Sequence, residues 1–124
     1  MKKYIICLLI LCSNVLLAQN KSNFIFEESI YTIEIQLENG KNFLELDKEN
    51  KFQIITKNVE PVNMMCSGQN LKRGKLSADK NITNWSLTII KEGLKNEEYT
   101  LSISFRGKKG KLFTHQFLLP VKQN

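Results

Sequence analysis

Two segments of this 124-residue chain alternate strictly between apolar and polar side chains. They are YTIEIQL at residues 31–37 and YTLSISF at residues 99–105. Their apolar positions are Tyr31, Ile33, Ile35 and Leu37, and Tyr99, Leu101, Ile103 and Phe105. A period of two puts successive side chains on opposite faces of a β-strand, so each segment predicts a strand with one buried face.

Further strands are predicted between turn signals. Asn39-Gly40 tolerates positive φ at both turn positions, so it predicts a hairpin that returns through the alternating Leu44 and Leu46. Proline donates no backbone hydrogen bond, so Pro61 is expected at a strand start and Pro120 at a strand end. The remaining predicted strands are KFQIITK (51–57), VNMMCSG (62–68), NWSLTIIK (84–91), KLFTHQFLLPV (111–121) and a short one around Leu76.

About seven short strands with evenly spaced turns predict an all-β fold, an antiparallel sandwich of immunoglobulin-like type, with a small barrel as the alternative. No segment sustains a helical period. Trp85 is predicted to fill the centre between the two sheets.

The first residues match a secretory signal peptide. Lys2 and Lys3 precede a nearly unbroken apolar run, and Ala18 supplies a small residue ahead of a polar stretch. The run is short of the ~20 residues that span a bilayer, and the bulky Leu11 disfavours lipid attachment at Cys12. We therefore expect residues 1–18 to be removed, residues 19–124 to form one domain, and the protein to reach the periplasm, the outer surface or the medium.

The charge balance is mildly basic. The chain has 18 Lys and Arg against 12 Asp and Glu, and losing Lys2 and Lys3 lowers the surplus from six to four. The basic residues are scattered, and their largest groups, LKRGK (71–75) and RGKKGK (106–111), lie beside glycines and are interpreted as solvated turns. A nucleic-acid-binding domain typically shows a basic stripe. No nucleic-acid partner is predicted, and an anionic surface is less favoured than a protein partner.

The inventory of reactive side chains is small. His115 is the single histidine, and Cys66 is the single cysteine after residue 18. One His and one Cys cannot complete a zinc site, and the alternating Glu45, Asp47 and Glu49 lack the glycine and bidentate glutamate of a calcium loop. A Cys–His nucleophile is the one catalytic candidate. The simpler interpretation makes Cys66 a small buried side chain and His115 a sheet-margin residue. An intermolecular bridge through Cys66 is the other alternative to that interpretation. No metal, no cofactor and no enzymatic activity are predicted.

Part of the chain resembles a known family. From Asp47 to Ser77, Asn50, Phe52, Ile54, Pro61, Val62, Met64, Ser67 and Gly68 fall into the pattern that opens the Ig-like domains in the C-terminal half of GldM, a gliding-motility and type IX secretion protein. The segment EEYTLSISFRGKKGKLFTHQFLLPVK (97–122) is similar to that family's closing hairpin. The chain departs from the pattern at Glu60, where the family has Asn, and it has no counterpart of the family's transmembrane helix and long helical region. The resemblance, over residues 47–121, implies an envelope-located binding domain without catalytic residues.

These observations together predict an exported, non-catalytic β-sandwich that binds another protein in the cell envelope. Val59, Met64 and Met65 are the predicted contact residues, because exposed methionine adapts to partner surfaces. The alternative for Met65 is packing against the second sheet. The alternative function is an inhibitor or immunity protein against a toxin or protease. The sequence leaves the partner and the oligomeric state open.

Overall fold

The computed structural model describes residues 23–91, 94 and 97–122. The described residues form β1 Ile25–Glu28, β2 Tyr31–Leu37, β3 Leu44–Glu45, β4 Glu49–Lys57, β5 Met64–Ser67, β6 Leu71–Arg73, β7 Ile82–Thr88, β8 Glu98–Arg106 and β9 Leu112–Lys122. Single 3-10 turns occupy Glu38–Gly40 and Pro61–Asn63. The predicted signal peptide lies outside the described residues.

The strands form two sheets that face each other. One sheet has the order β1-β2-β4-β7-β6 and the other the order β3-β9-β8-β5. All paired strands are antiparallel except β3 and β9, where Leu44 lies opposite Val121 in a parallel pair. The order β2-β4-β7-β6 against β9-β8-β5 is the immunoglobulin arrangement of strands A-B-E-D against G-F-C. The predicted all-β, Ig-like sandwich is confirmed, with β1 added beside β2.

The core lies between the sheets and is built from the inward side chains of alternating strands. Its largest fully buried members are Phe105, Phe117, Ile33, Leu44, Ile54, Leu87, Ile89, Leu101, Ile103 and Leu119. The four predicted apolar positions of β2 and the four of β8 are all buried. Among the described residues, the buried cluster runs from Tyr31 to Val121.

A buried tyrosine joins the two sheets at each end of the sandwich. At one end Tyr31 Oη accepts a hydrogen bond from the Lys108 backbone N–H at 2.7 Å. At the other end Tyr99 Oη donates to the Gln69 carbonyl at 2.7 Å. Burial raises the pKa of Tyr99 to about 12, so its hydroxyl remains a donor at physiological pH.

The predicted hairpin after β2 is wrong, although its turn is present. Asn39 and Gly40 have φ of 61° and 68°, as the Asn-Gly pair requires. The chain after the turn crosses to the opposite sheet, where β3 pairs with β9. Both edges of β2 are already occupied, by β1 on one side and β4 on the other, so no edge is left for a returning strand.

Three further expectations are corrected. Trp85 lies on the inner face of β7 but beside the edge strand β6, half-buried under the Arg73 guanidinium at 5.7 Å, while phenylalanines and aliphatic side chains of β8 and β9 fill the centre. The short strand is β6, and Leu76 is 89% exposed in the loop after it. Pro120 does not end β9, because the Val121 N–H donates to the Glu97 carbonyl at 3.0 Å and pairing continues to Lys122.

The alternation along β9 gives a matched pair of substitutions. Leu119 is fully buried, whereas its neighbour Leu118 is 45% exposed on the opposite face. We expect Leu119→Ala to lower the free energy of unfolding by about 2–5 kcal/mol and Leu118→Ala to change it by less than about 0.5 kcal/mol. Urea denaturation of both variants tests this, and equal losses would contradict the register of β9.

The tyrosine at the β5–β6 end gives a second prediction. A Cβ on Gly68 would collide with Tyr99 Oη, so Gly68→Ala has to displace the hydroxyl from its bond to Gln69. Tyr99→Phe alone is expected to cost about 1 kcal/mol of unfolding free energy. Because Tyr99→Phe removes the closest of the atoms that the new methyl group meets, the penalty of Gly68→Ala is expected to shrink in the Tyr99→Phe background. Additive penalties in this double-mutant cycle would show that the contact is not made.

Candidate functional site

The predicted contact residues divide between the core and the surface. Val59 is 2% exposed, so the expectation that it is exposed is wrong. Thr56 Oγ1 donates to the Val59 carbonyl at 2.9 Å, and Asn58 at φ 63° turns the chain so that the Val59 side chain enters the core. Met64 is half-buried against the core, and Met65 is 76% exposed. The alternative in which Met65 packs against the second sheet is therefore also wrong.

Cys66 and His115 do not form a catalytic pair. Both point into the sandwich from the same sheet, in a row in which Cys66 lies opposite Ile103 and Ile103 lies opposite His115. Two strand spacings separate them by roughly 10 Å, with the fully buried Ile103 between them. Burial raises the pKa of Cys66 to about 12, against a smaller opposing effect of Arg73, so the thiol stays protonated. The row offers neither a thiolate nor a base within reach of one.

His115 is part of an aromatic cluster. Its ring centroid lies 4.6 Å from that of Phe26 and 4.6 Å from that of Phe117, which it meets edge to face. Burial lowers the pKa of His115 because these apolar neighbours disfavour the charged ring. The β1 strand therefore covers this margin of the core through Phe26, and His115 packs as a neutral side chain.

The outer surface of β5, β8 and β9 carries no charge over most of its width. We call this surface the uncharged face and define it as Met65, Ser67, Thr100, Ser102, Ser104, Thr114, Gln116 and Leu118. Register places Met65, Ser104 and Thr114 in one row, and Ser104 and Thr114 share a hydrogen bond of 3.0 Å between their hydroxyls. Charged residues begin only at its borders, with Glu98 at one end and Arg106 at the other. In a chain with 24% charged residues, this is a distinct surface.

The uncharged face continues to a sheet edge. Among the described residues, β5 pairs only with β8, so its other edge carries free backbone donors and acceptors beside Met65. Natural edge strands are commonly protected by lysine, proline or a bulge. Met64–Ser67 contains neither lysine nor proline. Pro61 lies in the 3-10 turn before the strand, so it does not protect the edge of β5. The edge is therefore suited to contact with another polypeptide.

A groove of about 730 Å³ lies on the outer side of the other sheet. Gln36, Gln53 and Asn84 form a row of amides across three strands at this groove. Gln53 Nε2 donates to Asn84 Oδ1 at 3.0 Å, and Asn84 Nδ2 donates to the Lys75 carbonyl at 3.0 Å. Because these bonds fasten the loop after β6 to the sheet, we assign the amides of Gln53 and Asn84 a structural role.

Other site types find no support among the described residues. In residues 23–91, 94 and 97–122, no three His, Cys, Asp or Glu side chains are grouped to hold a metal ion. That part of the chain also has no helix long and apolar enough to cross a membrane. Glu45, Asp47 and Glu49 lie near β3 and β4, where Glu45 pairs with Lys41 at 3.4 Å.

The strand order defines the protein as an Ig-like β-sandwich, a class whose members are typically non-catalytic. No protein-family model matches the sequence, and no curated protein matches it. A search of solved structures finds the BIgI domain of beta protein from S. agalactiae, in a structure where it is bound to CEACAM1. The match has a TM-score of 0.42 and 12% identity and covers 74% of this chain and 98% of that chain. The fold assignment rests on the strand order, not on this match.

Sequence reasoning found Met65 but missed the rest of the uncharged face. The signal was present, because the outward positions of TLSISF and THQFLL are Thr100, Ser102, Ser104, Thr114, Gln116 and Leu118. The inward positions of both segments predict the core, whereas each outward position alone is an ordinary exposed polar residue. Their pairing across β8 and β9 is what turns six scattered uncharged positions into one surface.

The lowered pKa of His115 predicts a pH effect on stability. The unfolded chain binds a proton at about the ordinary value of 6.5, whereas the folded chain binds it only at lower pH. Stability is therefore expected to fall as the pH drops through about 6.5, because the unfolded state then binds more protons. Urea midpoints at neutral and mildly acidic pH test this. His115→Gln should lose less stability over the same interval, and an equal slope in the variant would exclude His115 as the cause.

Proposed function

We propose that this chain is an exported, non-catalytic Ig-like domain that binds another protein in the cell envelope through the uncharged face. The observation that carries the proposal is the absence of charge across the rows of β5, β8 and β9, with the exposed Met65 in one of them. Charged residues are depleted at the centres of protein interfaces, and methionine is enriched there.

Size and geometry determine how much of an interface this face provides. Three strands about 4.8 Å apart and about five residues long give a flat area of only a few hundred Å², whereas a standard interface buries ~800 Å² per partner. The uncharged face therefore supplies only the centre of the proposed interface. The partner also covers the residues that border this face or the free edge of β5. Pairing of a partner strand with that edge would add backbone hydrogen bonds.

Export is supported by the pattern of residues 1–18, and the periplasm, the outer surface and the medium are all compatible with it. Kinship with the Ig-like domains of GldM belongs to the same proposal, and it agrees with an envelope location and a binding role. The absence of a nucleophile–base contact between Cys66 and His115 supports a non-catalytic function. A partner that is a toxin or a protease would make this domain an inhibitor.

Site-directed photo-crosslinking tests the proposal in living cells. A benzophenone side chain is placed at Met65, and the matched control carries it at Thr88, an exposed strand position on the other sheet. We expect a discrete adduct from position 65, absent from position 88. In a second step, Ser104→Glu should abolish that adduct, because it buries an unpaired charge at the centre of the interface.

A discrete adduct from position 88 with none from position 65 would place the partner on the other sheet and contradict the proposal. So would an adduct from position 65 that persists at full yield in the Ser104→Glu chain. Thermal unfolding of each variant confirms that the sandwich is intact.

A further inference from the structure

The fold gathers basic residues that are scattered in the sequence. Four connections, taken together with the strand residues that border them, lie at the same end of the sandwich: residues 29–30 between β1 and β2, 57–63 at the passage from β4 to β5, 74–81 between β6 and β7, and 106–112 at the turn from β8 to β9. We call this surface the loop end. It contains seven Lys or Arg and two acidic residues, with Glu28 at its border. All seven basic side chains are exposed.

Contacts between the connections make the loop end one surface. Asn58 Nδ2 donates to the Ile30 carbonyl at 2.7 Å, which joins the first two connections. The Lys108 N–H bond to Tyr31 Oη joins the β8–β9 turn to β2. Pro61 lines a small cavity together with Leu76 and Lys80, which brings the third connection alongside.

Each connection also exposes one large aliphatic side chain. Ile30 is 49% exposed, Val62 85%, Leu76 89% and Leu112 56%. All four side chains are exposed at the same end of the sandwich, beside the basic residues of their own connections. The four loops therefore present aliphatic tips surrounded by lysines.

The opposite end of the sandwich has the reverse charge. Residues 38–49 contain Glu38, Glu45, Asp47 and Glu49 against Lys41 and Lys48. Both of these lysines lie within 4.0 Å of Glu45, and they form the two ion pairs found among the described residues. The loop end thus has no ion pair among the described residues to neutralise its lysines. We call residues 38–49 the acidic pole, and Lys91 and Lys122 also lie at that end of the sandwich.

We propose that the loop end docks on an anionic lipid bilayer, with the aliphatic tips in the headgroup region and the lysines against acidic headgroups. Lysine beside aliphatic side chains is the composition of interfacial membrane-binding surfaces. Protein interfaces are instead depleted in lysine. A nucleic-acid site contacts phosphates and sugars mainly through polar and basic side chains, so four exposed aliphatic side chains are not expected there.

This docking is peripheral and independent of the proposed protein partner. The lysines are attracted to an anionic surface by about 1 kcal/mol each, and the attraction weakens as salt shortens the Debye length. Binding is therefore expected to require acidic lipid and low to moderate ionic strength. The uncharged face does not contribute to it, so failure of one proposal leaves the other standing.

Cosedimentation with lipid vesicles tests the inference. The chain from Gln19 onward, which contains the whole sandwich, is mixed with vesicles of phosphatidylglycerol and phosphatidylcholine, or of phosphatidylcholine alone. We expect retention only on the acidic vesicles, lost at high salt. The variant Lys108→Gln with Lys109→Gln should bind about 30-fold more weakly, because two lysine contributions of about 1 kcal/mol are removed.

Matched controls distinguish vesicle binding through the loop end from general effects of net charge and hydrophobicity. Lys51→Gln with Lys72→Gln makes the same change in net charge on the outer face of the five-stranded sheet and should weaken binding much less. Val62→Ser with Leu76→Ser should weaken it by at least about tenfold, whereas Leu118→Ser on β9 should not. All these positions are exposed, so the variants are expected to fold, and circular dichroism checks that they do.

Several results would overturn the proposal. Equal loss in the two lysine pairs would show only a general charge effect, and retention on phosphatidylcholine alone would show non-specific adsorption. If poly-glutamate or duplex DNA is bound at a salt concentration at which acidic vesicles are not, the loop end recognises a soluble polyanion and the bilayer proposal is wrong.

Discussion

Burial of alternate side chains on β8 is the constraint on which the rest of the structure depends. β8 lies between β9 and β5, and its inward residues Tyr99, Leu101, Ile103 and Phe105 are all nearly inaccessible to solvent. They meet the inward row of β2 from the other sheet, where Tyr31 contacts Phe105 at 5.5 Å between ring centroids. Because the period is strictly two, a slip of one residue would bring Thr100, Ser102 and Ser104 into the core. The register of β8 therefore also decides which residues form the uncharged face.

The same register explains why Cys66 and His115 do not meet. A histidine and a thiol border the core, the exposed Arg73 lies close to them, and each of the three packs against an apolar or aromatic neighbour. Ile103 separates Cys66 from His115, Phe26 and Phe117 enclose the imidazole, and the Arg73 guanidinium lies over the Trp85 ring. In each case the neighbour is an apolar or aromatic side chain that the fold places beside the reactive group. Reactive residue types do not make a site unless the fold brings their polar atoms together.

The period of two in the sequence correctly predicted the strands that bury one face. It could not predict features that depend on which strands pair in the folded protein. The inward rows of β2, β4, β8 and β9 follow from the alternation of apolar and polar residues along each strand. The path of the chain after Asn39-Gly40 does not follow from local alternation, because it depends on β1 occupying an edge of β2. The four residues of β1 are too few to show a period in the sequence. Val59 was misplaced for a related reason. The burial of Val59 depends on the left-handed backbone conformation of Asn58, and no pattern in the neighbouring sequence predicts that conformation.

The two surfaces proposed for binding are compatible because they lie at different orientations. The loop end is at the tips of the strands, and the uncharged face runs along β8 and β9 away from it. A domain resting on its loop end therefore holds these strands away from the bilayer, with the uncharged face and the β5 edge open to the side. Its acidic pole, at residues 38–49, then points away from the acidic headgroups, where repulsion is least. If both proposals hold, charge separation along the sandwich sets the orientation in which a second protein meets the uncharged face.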